Sequence, residues 1–285
     1  NSNQLQSEQL AWDRTAMPDG AVAALGAYQN PDGGFGHGLE SDLRTTHSSV
    51  LATTIALQIL ARLQAPADNL LVADALGYLR DTYDGRHWHL ITEDCNDAPH
   101  APWWSWNTCQ APNEQNFASN PGAEILGYWF RWPQHADPQQ RFDLANRALA
   151  HLSGAIEMHD LLCYLRLLET LALPRDLREQ MLPALLERAF DLVQVDPDAW
   201  NGYVLKPFDV GTGPHSPLAE FLGTSLNASF AWEIARQSDD GDWYPHWTWG
   251  DAYEATWQVV RTEIAVDLTL QMLFKLQDFE RIDTA

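Results

Sequence analysis

Basic residues are scarce in this chain: 17 Lys and Arg stand against 39 Asp and Glu, a formal charge of −22 over 285 residues. A phosphate backbone needs a clustered basic surface, and no Lys/Arg run exists here, so a nucleic-acid partner is excluded. Anionic lipid headgroups are repelled in the same way. Long apolar runs are missing too, and nothing approaches the roughly 18–20 residues of a membrane span. Cysteine is rare. Cys95, Cys109 and Cys163 are irregularly spaced, which does not resemble a disulfide framework. The opening stretch "NSNQLQSEQLAWDR" has neither a basic cap nor an apolar core, unlike a signal peptide. With reduced thiols, this leads to the expectation of a cytoplasmic protein.

Strand-like alternation of Val, Ile and Thr is also absent, and helical spacing takes its place. Residues 45–64, "TTHSSVLATTIALQILARLQ", put Val50, Leu51, Thr54, Ile55, Ile59, Leu60 and Leu63 on one stripe, as a packed helix requires. The same reading predicts helices over 68–83, 121–131, 138–153, 157–172, 175–195, 216–236 and 256–277. Asp68, Pro121 and Pro138 mark helix starts. Segments such as 45–64 and 157–172 are apolar around most of their circumference, whereas 138–153 and 175–195 carry charges along one face. That alternation predicts an inner ring of helices wrapped by an outer ring. With 45% hydrophobic residues and no evident linker, the chain is expected to be a single all-α domain.

Thirteen tryptophans are the compositional excess. Trp103, Trp104, Trp106, Trp243, Trp247, Trp249 and Trp257 fall in or beside stretches rich in Pro, Gly and Asp. Such rings either pin long loops to helix ends or line an aromatic cavity. Both readings stand at this point.

A short phrase occurs twice. Residues 28–38 read "YQNPDGGFGHG" and residues 237–249 read "QSDDGDWYPHWTW". Each sets a glutamine before an acidic residue, a glycine and an aromatic ring, and each precedes an apolar helix, "TTHSSVLATTIALQIL" or "RTEIAVDLTLQMLFKL". Glycines at 33, 34 and 36 permit tight turns, and the Gln amide can bond a helix end. These features resemble the glutamine–tryptophan repeats of the terpenoid cyclase and protein prenyltransferase superfamily. The resemblance implies an α/α toroid of about five or six helical hairpins, spanning residues 28–277, with Gln29, Phe35, Gln237 and Trp243 structural. It does not carry that family's chemistry along. The Asp-x-Asp-Asp proton donor of the cyclases is missing. "TEDCND" sets Asp94 directly beside Cys95, the wrong spacing for the zinc site of the prenyltransferases.

In a toroid the loops leading into inner helices ring a central cavity. "GHGLESDLRTTH", residues 36–47, packs His37, Glu40, Asp42, Arg44 and His47 into that position. Neighbouring carboxylates split their pKa values and suit acid/base work beside a clamping Arg. The structural alternative is that Asp42 caps the helix and Arg44 bridges to a neighbour. "DAPHAPWWSW" adds Asp97, His100, Trp103 and Trp104, and His159 with Asp160 opens the helix at 157. Lys206, Asp209 and His215 lie in a Gly/Pro-rich loop, while Trp249, Tyr253 and Glu254 follow the second phrase. Glu40, Asp42, His100 and His159 are therefore the candidate catalytic set. His37, Arg44, Trp103, Trp104, Lys206, Asp209, Trp249 and Tyr253 are the candidate substrate-binding set. Glu124 in a first helical turn is more simply a dipole partner. Glu40, Asp42, Arg44 and His100 are expected to converge at one end of the barrel beside Trp103 or Trp104.

The expected partner is a small molecule, handled without metal or cofactor. His87 and His89, near Glu93 and Asp94, have metal-ligand spacing, but no second helical histidine pair completes them. Nucleophile elbows and phosphate-cradling loops are absent. The leading expectation is a small-molecule enzyme of the toroid superfamily working by acid/base chemistry, an isoprenoid-type cyclase first. The alternatives are a carbohydrate-active hydrolase or lyase with paired carboxylates and stacking Trp, and a non-catalytic binding funnel. Polar, charged cavity walls would favour the hydrolase or lyase and a greasy tunnel the cyclase.

Overall fold

The computed structural model describes residues 19–109 and 117–282. The opening stretch and part of the loop 84–120 lie outside the described residues. Eleven α-helices are present among the described residues, and no strand, only isolated bridges. In chain order they are α1 (Asp19–Gly26), α2 (Val50–Arg62), α3 (Leu70–Asp81), α4 (Ser119–Arg131), α5 (Pro138–Leu152), α6 (Met158–Glu169), α7 (Arg175–Leu192), α8 (Pro207–Val210), α9 (Pro217–Leu222), α10 (Thr224–Ile234) and α11 (Glu254–Asp278). None is long and apolar enough to cross a membrane.

Capping residues set the helix starts. Ser49 is the N-cap of α2 and accepts the Ala52 N–H, Asn69 caps α3, and Asp137 caps α5 with Pro138 in its first turn, each satisfying an amide that the first turn leaves unpaired. The predicted helix over 45–64 begins at 50, because Ser49 N–H donates to Phe35 O (3.0 Å) and holds the preceding residues extended. The predicted helix over 216–236 is two helices. Gly223 sits between them at φ +50°, a conformation that L side chains rarely adopt. Asn69, not Asp68, is the α3 cap.

Two layers of helices follow from burial. α2 packs on α4, and α4 packs on α6 more extensively than any other pair among the described elements. α4 buries most of its residues from Ser119 to Trp129. On the other layer α5 packs against α7, which buries Leu177, Met181, Leu185 and Ala189 on a single stripe, with Leu182, Ala184, Leu186 and Leu192 partly buried beside it. The core runs continuously between these layers, where each buried aliphatic side chain contributes roughly 1.5–3 kcal/mol.

The two repeated phrases fold alike. Gln29 Nε2 donates to Gly33 O (3.0 Å) and Gln237 Nε2 donates to Gly241 O (2.8 Å). Gly33 and Gly241 both have left-handed backbone, at φ +87° and +93°. Phe35 N–H donates to Thr53 Oγ1 and Trp243 N–H to Thr269 Oγ1, each at 3.0 Å. Gln29 also reaches Leu71 O at the start of α3 (3.3 Å). Phe35 is fully buried and Trp243 nearly so. The phrase is a staple that ties a tight turn to the helix after it.

Candidate functional site

A cavity of about 1350 Å³ opens among the loops before α2, the first turns of α6, the segment 203–212 and the C-terminal half of α11. Its floor is built where the loops that follow the two staples meet. Ala101 N–H donates to Asp42 O (2.8 Å) and Arg44 N–H to Pro99 O (2.9 Å), so residues 42–44 pair with 99–101. The turn Pro102–Trp104 then carries Trp103 and Trp104 to the wall where Glu40 and Asp42 stand. From the second staple's loop, Trp249 Nε1 donates to Asp42 Oδ1 (2.7 Å) and Trp247 Nε1 to Asp42 Oδ2 (3.2 Å). Both Asp42 oxygens are thereby fixed in a group that is 7% exposed.

Electrostatics separates the two carboxyls. Burial, and then the nearby Asp42, push Glu40 up to about 7, because both disfavour its charged form. The Asp42 N–H donates to Glu40 Oε1 (3.3 Å). Trp104 turns its indole N–H towards Glu40 as a weaker electrostatic contact, short of hydrogen-bond geometry. Burial also raises Asp42, but the two indole donors oppose it.

Further along the wall, His159 Nδ1 meets Glu157 Oε2 (2.8 Å) and its Nε2 faces the Tyr203 hydroxyl (2.9 Å). The Glu157 contact raises the imidazole's pKa. Lys206 forms an ion pair with buried Glu233 and its ammonium lies 4.9 Å from the Trp232 ring. Asp209, raised by burial against the pull of Lys206, accepts the Lys206 backbone N–H (2.7 Å). Lys275 is brought down to about 8 by burial and donates to Phe208 O.

Of the sequence candidates, Glu40, Asp42, His159, Trp103, Trp104, Lys206 and Asp209 line this cavity. Trp249 stands behind it as a donor to Asp42. Arg44 and His100 do not join Glu40 and Asp42 in the lining. Arg44 bonds Glu263 on α11 (2.7 Å), and His100 Nδ1 meets Ala98 O (2.7 Å) with its ring against Tyr253. His37 occupies a turn at φ +55° and meets Asn30 Oδ1 (2.9 Å). Tyr253, also left-handed at φ +51°, is half exposed. Glu124 is buried in a network with Arg166, Tyr128 and Gln58.

The sequence reading did not single out Tyr203, Glu169, His246, Trp247 or Lys275 as site residues, yet all line the cavity. Glu169 and Lys275 lie on helices whose apolar periodicity hides them. Trp247 had a visible signal, since it follows the second staple within four residues. The chain matches no protein-family model, no curated protein and no solved structure.

Proposed function

We propose that the protein is an acid/base enzyme acting on a small, hydroxyl-bearing molecule of carbohydrate type, with Glu40 as proton donor. The observation that carries this reading is the meeting of Glu40 and Asp42 on one cavity wall under Trp103, Trp104 and Trp247. A carboxylic acid kept protonated near neutrality can protonate a leaving oxygen, after which its carboxylate accepts a proton from water. Asp42, with both oxygens held by indoles, is suited to positioning: burial first, and then the Asp42 charge, keep the proton on Glu40. His159, between Glu157 and Tyr203, offers a second proton-carrying group on the lining. Four basic and five acidic side chains share the wall, which favours a polar substrate over a hydrocarbon, and flat indoles stack on sugar faces.

The overall arrangement we propose is an α/α toroid of the terpenoid cyclase and prenyltransferase kind. Its support is the shared hydrogen-bond pattern of the two staples and the contact of α2 with α11, where Arg62 lies 5.3 Å from the Phe274 ring centre. That likeness favours an isoprenoid-type cyclisation as the second reading. The test is a ligand screen by tryptophan fluorescence with oligosaccharides and isoprenoid diphosphates. The expected result is oligosaccharide quenching that Glu40→Gln retains, with turnover that falls by roughly 10²–10⁴-fold in the variant. Isoprenoid binding alone, or full turnover in Glu40→Gln, would overturn the first reading.

A further inference from the structure

The sequence sets Glu93 and Asp94 near the histidines at 87 and 89 and offers no second helical histidine pair to complete a metal site. In the fold the carboxylate partner comes from the other side, at Asp84. We propose that Asp84, His87 and His89 form a binding site for a divalent first-row transition-metal ion of the zinc class. The three do not line the cavity, and the proposal does not depend on the acid/base reading.

Trp88 explains why the two imidazoles share a face. Its ring is 2% exposed, its Nε1 donates to Leu79 O, and it packs between Tyr83 and Trp129. With the middle residue turned into the core, its two neighbours are left together on the opposite side, with ring centroids 4.9 Å apart. Asp84 is oriented just as firmly. Its Oδ1 accepts the backbone N–H groups of Arg86 (2.7 Å) and His87 (2.8 Å). Oδ2 is then left 3.5 Å from His87 Nε2 and 3.8 Å from His89 Nε2. One ligand atom from each residue lies within 4.8 Å of the others. Around a tetrahedral ion with bonds of about 2.0–2.1 Å, ligand atoms stand roughly 3.3 Å apart, so a small inward movement completes the set.

A second, independent observation points to a ligand. His87 is 4% exposed, and among the described residues neither of its ring nitrogens has a hydrogen-bond partner. His89 Nδ1 is likewise buried without one. Unmet buried nitrogens destabilise a fold, and Asp84 Oδ2, 3.5 Å from His87 Nε2, makes no hydrogen bond with it. A cation satisfies Nε2 directly. Two imidazoles and a carboxylate suit zinc, cobalt or iron better than magnesium or calcium. Asp84 and His89 reach solvent, which gives the ion a path and a position for water.

The experiment is a Co2+ titration of the full chain in excess Mg2+, which occupies the acidic surface without competing for imidazole. One equivalent of Co2+ should develop a ligand-field spectrum that one equivalent of Zn2+ abolishes. Asp84→Asn and His89→Ala change solvent-facing side chains and should fold with unchanged circular dichroism. Each should weaken Co2+ binding by on the order of 10–100-fold or more. A wild-type chain that takes up no stoichiometric ion, or either variant binding Co2+ as wild type does, overturns the site.

Discussion

A carboxyl group that titrates near neutrality leaves a mark on stability as well as on chemistry. Glu40 has its ordinary value near 4.5 when unfolded and about 7 when folded. Below 4.5 both states hold the proton, and Glu40 makes no difference between them. Between 4.5 and 7 the unfolded chain loses its proton first, so stability falls as pH rises, and the loss is complete above 7. Glu40→Gln removes that slope, so its melting temperature should gain on wild type from pH 5 to about pH 7 and keep a constant lead above it. Parallel melting curves across that range would place Glu40 in an environment no different from water. Asp42→Asn provides a second check, since removing the like charge should draw Glu40 back towards 4.5. The alkaline limb of any activity profile should move to lower pH with it. Glu40 and Asp42 were legible in sequence because carboxylates crowd the residues before a helix. What the sequence could not specify was that Asp42 is held by indoles over 200 residues away, at positions 247 and 249.

The helical staple explains why a Gln, a Gly and an aromatic ring were readable twice while their fourth partner was not. Thr53 follows Phe35 by 18 residues and Thr269 follows Trp243 by 26, so no fixed spacing marks the threonine. Its hydroxyl accepts the backbone N–H of the stapled residue, and in Thr53 it also donates to Ser49 O (2.7 Å). Thr53→Val keeps the shape and removes the acceptor, leaving a buried N–H unpaired at a cost of about 1–3 kcal/mol. Thr269→Val should cost less because that site is only partly buried. Chemical denaturation measures both, and equal wild-type midpoints would mean that the hydroxyls are dispensable. Phe35→Ala, which empties a fully buried ring position, should cost more, roughly 3–5 kcal/mol. The longer helices were legible from periodicity, since stripes such as Leu177, Met181, Leu185 and Ala189 recur at one-turn intervals. By contrast, α1 and the four-residue α8 are too short to show a period and were not. Two boundaries were not legible either. The pairing of Ser49 with Phe35 and the left-handed Gly223 are set by neighbours outside the periodic segment.

At the scale of the whole molecule, the early loops are tied to the last helix. Arg44 pairs with Glu263, Ser41 Oγ donates to Asp267 Oδ2 (3.5 Å), and Arg62 covers Phe274. Lys275 on the same helix reaches Phe208 O in the segment that supplies Lys206 and Asp209. These contacts bridge more than 200 residues of chain in three cases, and they bring α11 to the cavity at both the Glu40 and the Lys206 walls. Loop closure over such lengths costs entropy that grows slowly with length, and burial of Val260, Ile264, Leu270, Met272 and Leu276 offsets it. Removing residues 254–285 should therefore unfold more than one helix. It strips Thr269 from the second staple, exposes the apolar faces that α11 covers, and leaves Arg44 and Phe208 without their partners. The expected outcome for a chain ending at Tyr253 is loss of the cooperative thermal transition and of ligand-induced tryptophan quenching. If that shortened chain keeps a sharp transition, with ellipticity reduced only by the missing helix, α11 is an appendage and the cavity does not depend on closure by it.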